Sequence, residues 1–146
     1  MELKVQIINK SPHVLPGYQT AGSSGMDLRA WLPASITLAP MERKLIPTGI
    51  YIALPESFEA EVRPRSGLAI KRGLTLINTP GTIDSDYRGE VMVAMINLSG
   101  QDQVISDGER IAQMIISKYE KVAWEQVEVL EETMRGAGGF GHSGTH

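Results

Sequence analysis

Apolar residues recur at every second position along much of this chain, and prolines and glycines stop each run before it grows long. In ELKVQII, Leu3, Val5 and Ile7 share a face; in GIYIAL, Ile50, Ile52 and Leu54 do so. In SFEAEVR, Phe58, Ala60 and Val62 alternate with Glu59, Glu61 and Arg63, and EQVEVLE repeats the pattern with Val127 and Val129. The breaks fall at Pro12, Pro16, Pro33, Pro40, Pro47, Pro55, Pro64, Pro80, Gly100 and Gly108. Many short strands with turn signals this close together predict an all-β chain, a sandwich or barrel.

Three stretches add detail. EVMVAMIN is apolar on both faces, Val91, Val93 and Met95 on one and Met92, Ala94 and Ile96 on the other. It reads as a strand buried on both sides, within the core or against another subunit. RIAQMIISKYEKV partly fits a helical period, but its β-branched residues and the preceding SDGE turn predict a strand. One short helical turn is expected after Ser66, in SGLAIKRG. With 146 residues, no internal repeat and no long linker, the chain is read as one β domain over residues 1–134 with a flexible segment over 135–146.

Composition narrows the chemistry. A net charge of −3 without a basic stripe argues against a protein that coats nucleic acid. Zero cysteines exclude disulfides, thiolate zinc sites and a cysteine nucleophile, and agree with a reducing compartment. MELKVQIINK lacks the apolar core and cleavage site of a signal peptide, and no stretch approaches the roughly 20 apolar residues of a membrane helix. A soluble cytoplasmic protein is expected.

Five segments could carry chemistry. In AGSSGMDLRA, Asp27 is either a turn former or a carboxylate held at a strand edge, able to orient metal-bound water. In PRSGLAIKRG, Arg65, Ser66 and Gly67 sit where a strand gives way to a helical turn. Ser66 either caps that turn, or its N–H groups and the Arg65 fork receive an oxyanion such as phosphate. In NTPGTIDSDYRGEV, TPGT predicts a tight turn within a hairpin. Asp84 and Asp86 come after it and would face the same way on a regular strand. They form either a solvated acidic edge or a site with a general base beside the Tyr87 ring, and spacing does not say which aspartate. In GERIAQM, Gln113 is either solvent-facing or a buried amide with definite partners. The end, RGAGGFGHSGTH, sets Phe140 among glycines, which reads as a frayed tail or as a segment that closes over a ligand. Arg135 and the hydroxyls of Ser143 and Thr145 could wrap phosphate oxygens there, although no GK[ST] motif is present.

In this order and at these distances, AGSSGMDLRA, PRSGLA, GTIDSDYRGEV, GERIAQMI and RGAGGFGHSG resemble the dUTP pyrophosphatase (dUTPase) family of the homotrimeric type, across residues 21–144. The resemblance implies a distorted jelly roll, three copies about a threefold axis, and active sites shared among subunits. It implies Mg²⁺-dependent hydrolysis of dUTP to dUMP and pyrophosphate, which keeps uracil out of DNA and supplies dUMP for thymidylate synthesis. It assigns Asp84 to activation of the attacking water and leaves Asp86 structural. Asn78 and the backbone of Gly81, Thr82 and Ile83 are similar to the uracil slot, with Tyr87 stacked beneath the deoxyribose and Met92 bordering the substrate. Arg65, Ser66 and Gly67 are similar to the phosphate-binding turn, and Gln113 to an amide near the α-phosphate. Asp27 would orient water on the magnesium. Arg135 and residues Gly141 and Ser143 to Thr145 would grip the outer phosphates while Phe140 covers the uracil.

Physical chemistry agrees with those implications. Mg²⁺ keeps several waters and takes phosphate oxygens, so no His/Cys/Glu ligand cluster is expected, and His13, His142 and His146 read as incidental. One methyl group in a pocket discriminates by only about 1–3 kcal/mol, so excluding thymine calls for a rigid backbone wall. A dUTP sensor that does not cleave its ligand, or a relative that deaminates dCTP, would share the fold. The acid and ring at 84 and 87 and the uracil-type turn point away from both.

Overall fold

The computed structural model describes residues 2–146. Among them are eleven strands and one helix. The strands are β1 (Gln6–Asn9), β2 (Met26–Arg29), β3 (Ile36–Leu38), β4 (Arg43–Pro47), β5 (Ile50–Ala53), β6 (Phe58–Arg63), β7 (Leu74–Leu76), β8 (Gly81–Ile83), β9 (Met92–Asn97), β10 (Gln103–Ile105) and β11 (Arg110–Lys118). The helix α1 (Ser66–Arg72) lies between β6 and β7. The all-β expectation therefore holds, including β11 as a strand and the short helix after Ser66.

Four small antiparallel sheets enclose one core in a distorted jelly roll. Their orders are β2-β11-β6-β8, β4-β9-β7, β1-β5 and β10-β3. Inward positions of the first sheet (Leu28, Ala60, Val62, Met114) meet those of the second (Ile46, Leu74, Leu76, Val93, Met95). Ile50, Ile52 and Leu54 are buried, as their shared face predicts, and Phe58 packs against the edge of the cluster.

Five local expectations need correction. First, the TPGT turn does not join a paired hairpin. β7 pairs with β9 and β8 pairs with β6, so the turn, with a cis peptide before Pro80, carries the chain from one sheet to another. Second, Asp84 and Asp86 lie past the end of β8, on a turn closed by the Tyr87 N–H donating to the Asp84 carbonyl at 3.1 Å, so strand alternation does not govern them. Third, β9 is buried on both faces only toward its C-terminal end, where Ile96 is 6% exposed. Val93 and Met95 point into the core, whereas Met92 is exposed and Ala94 half-buried. Fourth, EQVEVLE forms no strand: Val127 and Val129 are both exposed in an extended run. A strand needs a neighbouring edge to satisfy its backbone, and this chain offers that segment none. Similarly β1 is shorter than its apolar pattern: Leu3 precedes it, and Ile7 and Ile8 are both exposed.

An irregularity in β11 shapes the outer surface of the first sheet. The register against β2 runs Arg110↔Arg29 and then Ala112↔Leu28, with a bulge between. The extra residue lets neighbouring Ile111 and Ala112 both enter the core, at 1% and 0% exposure. It also leaves Arg110 and Gln113 together on the outer side, opposite Asp27.

Candidate functional site

Two clefts hold many of the residues singled out from sequence, and no residue lines both. The first, about 430 Å³, is lined by Gln19, Gly22–Gly25, Asp27, Arg65, Ser66, Gly67, Arg110 and Gln113. Edge strand β2 supplies Asp27, whose side chain is only 15% exposed. Its carboxylate faces Arg65 Nε at 3.0 Å and Arg110 Nη1 at 3.3 Å, and accepts a long 3.4 Å bond from Gln19 Nε2. Arg65 Nη1 also donates to the Arg110 carbonyl at 3.1 Å. Asp27 thus holds two guanidinium groups at the cleft, a role that sequence does not reveal. Ser66 opens α1 without capping it. Arg65 takes the cap position, no side chain bonds the first turn, and Ser66 and Gly67 are exposed on the cleft. Gln113 is half-buried and donates from Nε2 to the Pro64 carbonyl at 3.0 Å. A β-carbon at Gly25 would stand 2.5 Å from Gln113 Oε1, so the glycine of SSGMD is what admits that amide.

The second cleft is a slot of about 190 Å³ lined by Thr82, Ile83, Asp84, Tyr87, Val91 and Met92. Tyr87 is 45% exposed, and its hydroxyl donates to the Glu90 carbonyl at 3.0 Å. The Glu90 carboxylate in turn accepts the N–H groups of Thr48 at 3.1 Å and Gly49 at 3.0 Å, which anchors the turn to the body. Gly89 lies directly beneath the ring: a β-carbon there would sit 2.3 Å from the Tyr87 hydroxyl oxygen. Asn78 is exposed, with its Nδ2 against Gly81. Asp84 is exposed at the slot's rim.

The outward row of β6 runs close to Asp84. Glu59 is held above the ordinary carboxylate range, first by the hydrogen bond it shares with Glu61, then by burial and by the charges of Glu61 and Asp84. Glu61 is held below that range by Arg63, which bonds it through Nε at 3.0 Å, and by Glu59.

The tail residues meet neither cleft. Among the described residues, Arg135 Nε donates to the Gly138 carbonyl at 2.7 Å, and further turns close at His142 and Gly144. Phe140 is fully exposed, at 115% of its reference area, and Gly141, Ser143, Gly144 and Thr145 are exposed with it. No group of three or more His, Cys, Asp or Glu side chains able to hold a metal occurs among the described residues. No described helix is long and apolar enough to cross a membrane.

The structure is a jelly-roll body with an arginine-lined polar cleft and a separate small slot. Comparison with known proteins gives the family. The dUTPase family model matches residues 11–144, and the chain belongs to the dUTPase family. The deoxyuridine 5'-triphosphate nucleotidohydrolase of Finegoldia magna is 61% identical over 142 residues, covering 97% of this chain and 99% of that protein. Its counterpart from Rickettsia akari is 57% identical over 143 residues, 98% of this chain and 97% of that one. Among solved structures, a mutant of the phage 80alpha dUTPase superposes with a TM-score of 0.86 at 24% identity, over 98% of this chain and 100% of that one. A mutant dUTPase from phage phi11 of S. aureus, described with a structural Mg(II) ion, gives 0.79 at 20% identity, over 89% and 100%.

Proposed function

We propose that this chain, an enzyme of the dUTP diphosphatase class, cleaves dUTP to dUMP and pyrophosphate with Asp84 as general base. The observation that carries the reading is Asp84 at the rim of the slot formed by Thr82, Ile83, Tyr87, Val91 and Met92. At about 190 Å³ the slot is smaller than the roughly 300–1,000 Å³ of drug-sized ligand sites, which suits one pyrimidine ring and part of its sugar. Its wall is β8, whose backbone is bound to β6. A wall of that kind excludes thymine where a mobile side chain would yield. Uracil's edge meets the backbone of Gly81–Ile83 and Asn78, and the deoxyribose lies on Tyr87, with no space for a 2′-hydroxyl.

The phosphate chain is received by Arg65, the N–H groups of Ser66 and Gly67, and Gln113. Arg135, Gly141 and Ser143 close over its outer part, and Phe140 covers the base. The glycines of the tail lose their freedom only when that nucleotide offsets the cost. Asp84 takes a proton from one ordered water. The water oxygen bonds to the α-phosphorus as the bond to the bridging oxygen breaks and pyrophosphate departs. The donors around Asp27 fit Mg²⁺ in one way. Its carboxylate is already shared by two guanidinium groups, so it suits an ion that keeps its own waters and takes phosphate oxygens. When bound, that ion neutralises triphosphate charge.

The two clefts share no lining residue, and Trp124, Val127, Val129 and Leu130 lie exposed beyond β11. Both features support a homotrimer in which one copy's slot works with another's phosphate cleft. The setting we infer is the cytoplasm, with neither membrane nor stable nucleic acid as partner. Pyrophosphate release from dUTP with Mg²⁺ is the test. Turnover is expected, reduced at least about 100-fold in Asp84→Asn; a folded, unmutated protein that leaves dUTP intact refutes the proposal.

A further inference from the structure

The helix that presents Ser66 and Gly67 has no apolar anchor of its own. All seven residues of α1 escape full burial, and only Leu68 rests against the core. An amphipathic stripe normally sets a helix's angle on its body, so here polar links have to do so.

Both ends are tied to neighbouring elements by an arginine. At the N-terminal end, Arg65 is bound to Asp27 and, through Nη1, to the Arg110 carbonyl. At the C-terminal end, Arg72 spends its whole fork on β10 and the turn that joins it to β11. Nε donates to Gln103 Oε1 at 3.0 Å, while the two terminal nitrogens bond Glu109 Oε1 and the Val104 carbonyl. Glu109 is itself fixed, because its other oxygen accepts the Ser106 N–H at 3.0 Å. Gly73 then ends the helix in the left-handed region, φ 65°, its N–H returning to the Ala69 and Leu68 carbonyls. Among these ties, Glu109 and Arg110 are consecutive residues at the start of the bulged strand that carries Gln113, so each end of the helix has one bond there.

We propose that Arg72 and Glu109 are a positioning pair. They set the tilt of α1 and so aim the N–H groups of Ser66 and Gly67 into the cleft that Arg65, Arg110 and Gln113 line. This deepens the reading of that cleft as the polyphosphate site, and rests on it. Neither side chain lines the cleft, so their effect passes through the helix. A rigid fork suits this role, because lysine in place of Arg72 would keep the attraction to Glu109 but could not reach three acceptors in fixed geometry.

The test separates phosphate from nucleoside recognition. In Arg72→Met and Glu109→Gln, KM for dUTP is expected to rise roughly tenfold or more, since small misplacements at a distance have effects of that order or larger. Inhibition by inorganic triphosphate should weaken in parallel, while inhibition by deoxyuridine stays within twofold. The double variant should be no worse than the more severe single one, because the two act as one unit. Arg72→Lys should fall between Arg72→Met and the unmutated chain, and it carries the test if Arg72→Met does not fold. A folded variant whose KM and triphosphate inhibition both stay within twofold overturns the inference, as does an equal loss of deoxyuridine binding. If the unmutated chain bound neither dUTP nor triphosphate, the functional reading would fall, and this inference with it.

Discussion

Replacing Gly89 by alanine should disable the slot without touching any group that contacts the reacting phosphorus. The added β-carbon would stand 2.3 Å from the Tyr87 hydroxyl oxygen, 2.5 Å from Cζ and 2.9 Å from Cε1. Ordinary contact needs roughly 3.4 Å or more between such atoms, so the ring must retreat by about 1 Å. The 3.0 Å hydroxyl bond to the Glu90 carbonyl does not survive that shift. A neutral, half-exposed hydrogen bond contributes about 0.5–1.5 kcal/mol, so the melting temperature should fall by only a few degrees, about 2–4 °C per kcal/mol in a chain of this size. Activity should suffer far more, because a misplacement of about 1 Å can cost on the order of 100-fold. The assay compares kcat/KM for dUTP and UTP, alongside thermal unfolding. Gly100→Ala, at a site with no atom within 4 Å of the new carbon, serves as control. A loss of kcat/KM for dUTP and a narrower preference over UTP are expected. Values within twofold of the unmutated enzyme on both substrates would refute the idea that Gly89 exists to seat the ring.

Phe140→Ala should lower kcat/KM for dUTP if the exposed ring closes over bound nucleotide as proposed; a change within twofold removes the lid role. The Asp107 carboxylate is held below the ordinary range, first by the Leu32 N–H at 2.8 Å and next by His13 Nε2 at 2.9 Å. A carboxyl depressed in the folded state adds stability above its unfolded pKa and loses it as pH falls through the folded value. Asp107→Asn should therefore lower the denaturation midpoint at neutral pH, with the gap closing in strong acid. A gap independent of pH would show that the amide fails for steric reasons instead.

Which parts of this molecule can be read from residues depends on what a period can encode. Ile50 and Ile52, or Ala60 and Val62, declare their inward face because each lies on a regular strand with a partner within the chain. Val127 and Val129 show the same period and form nothing, since alternation states a readiness to pair and not the presence of an edge. The residues of the two clefts are legible as types, but their grouping is hidden. Gln113 and Arg110 come together only through the bulge, and RIAQM carries no proline or glycine to announce one. Asp27 reads as a turn former or a water-orienting acid; that it grips Arg65 and Arg110 depends on contacts 38 and 83 positions away in sequence. Gly25 and Gly89 resemble ordinary turn residues, because the need for glycine comes from a neighbour's side chain and not from the local backbone. Arg72 and Glu109 stand in plain sight within KRG and GER, with nothing in the sequence to link them.

The bulge in β11 gives a single strand two independent jobs. Ile111 and Ala112 answer to packing alone, while Arg110 and Gln113 on either side face the arginine-lined cleft. In a regular strand Gln113 would share its side with Ile111, and any change of amide would disturb the interior. With the extra residue in place, the cleft-facing positions can vary in size and charge while the hydrophobic ones keep the barrel closed, so the outer surface and the interior can be adjusted separately along nine residues.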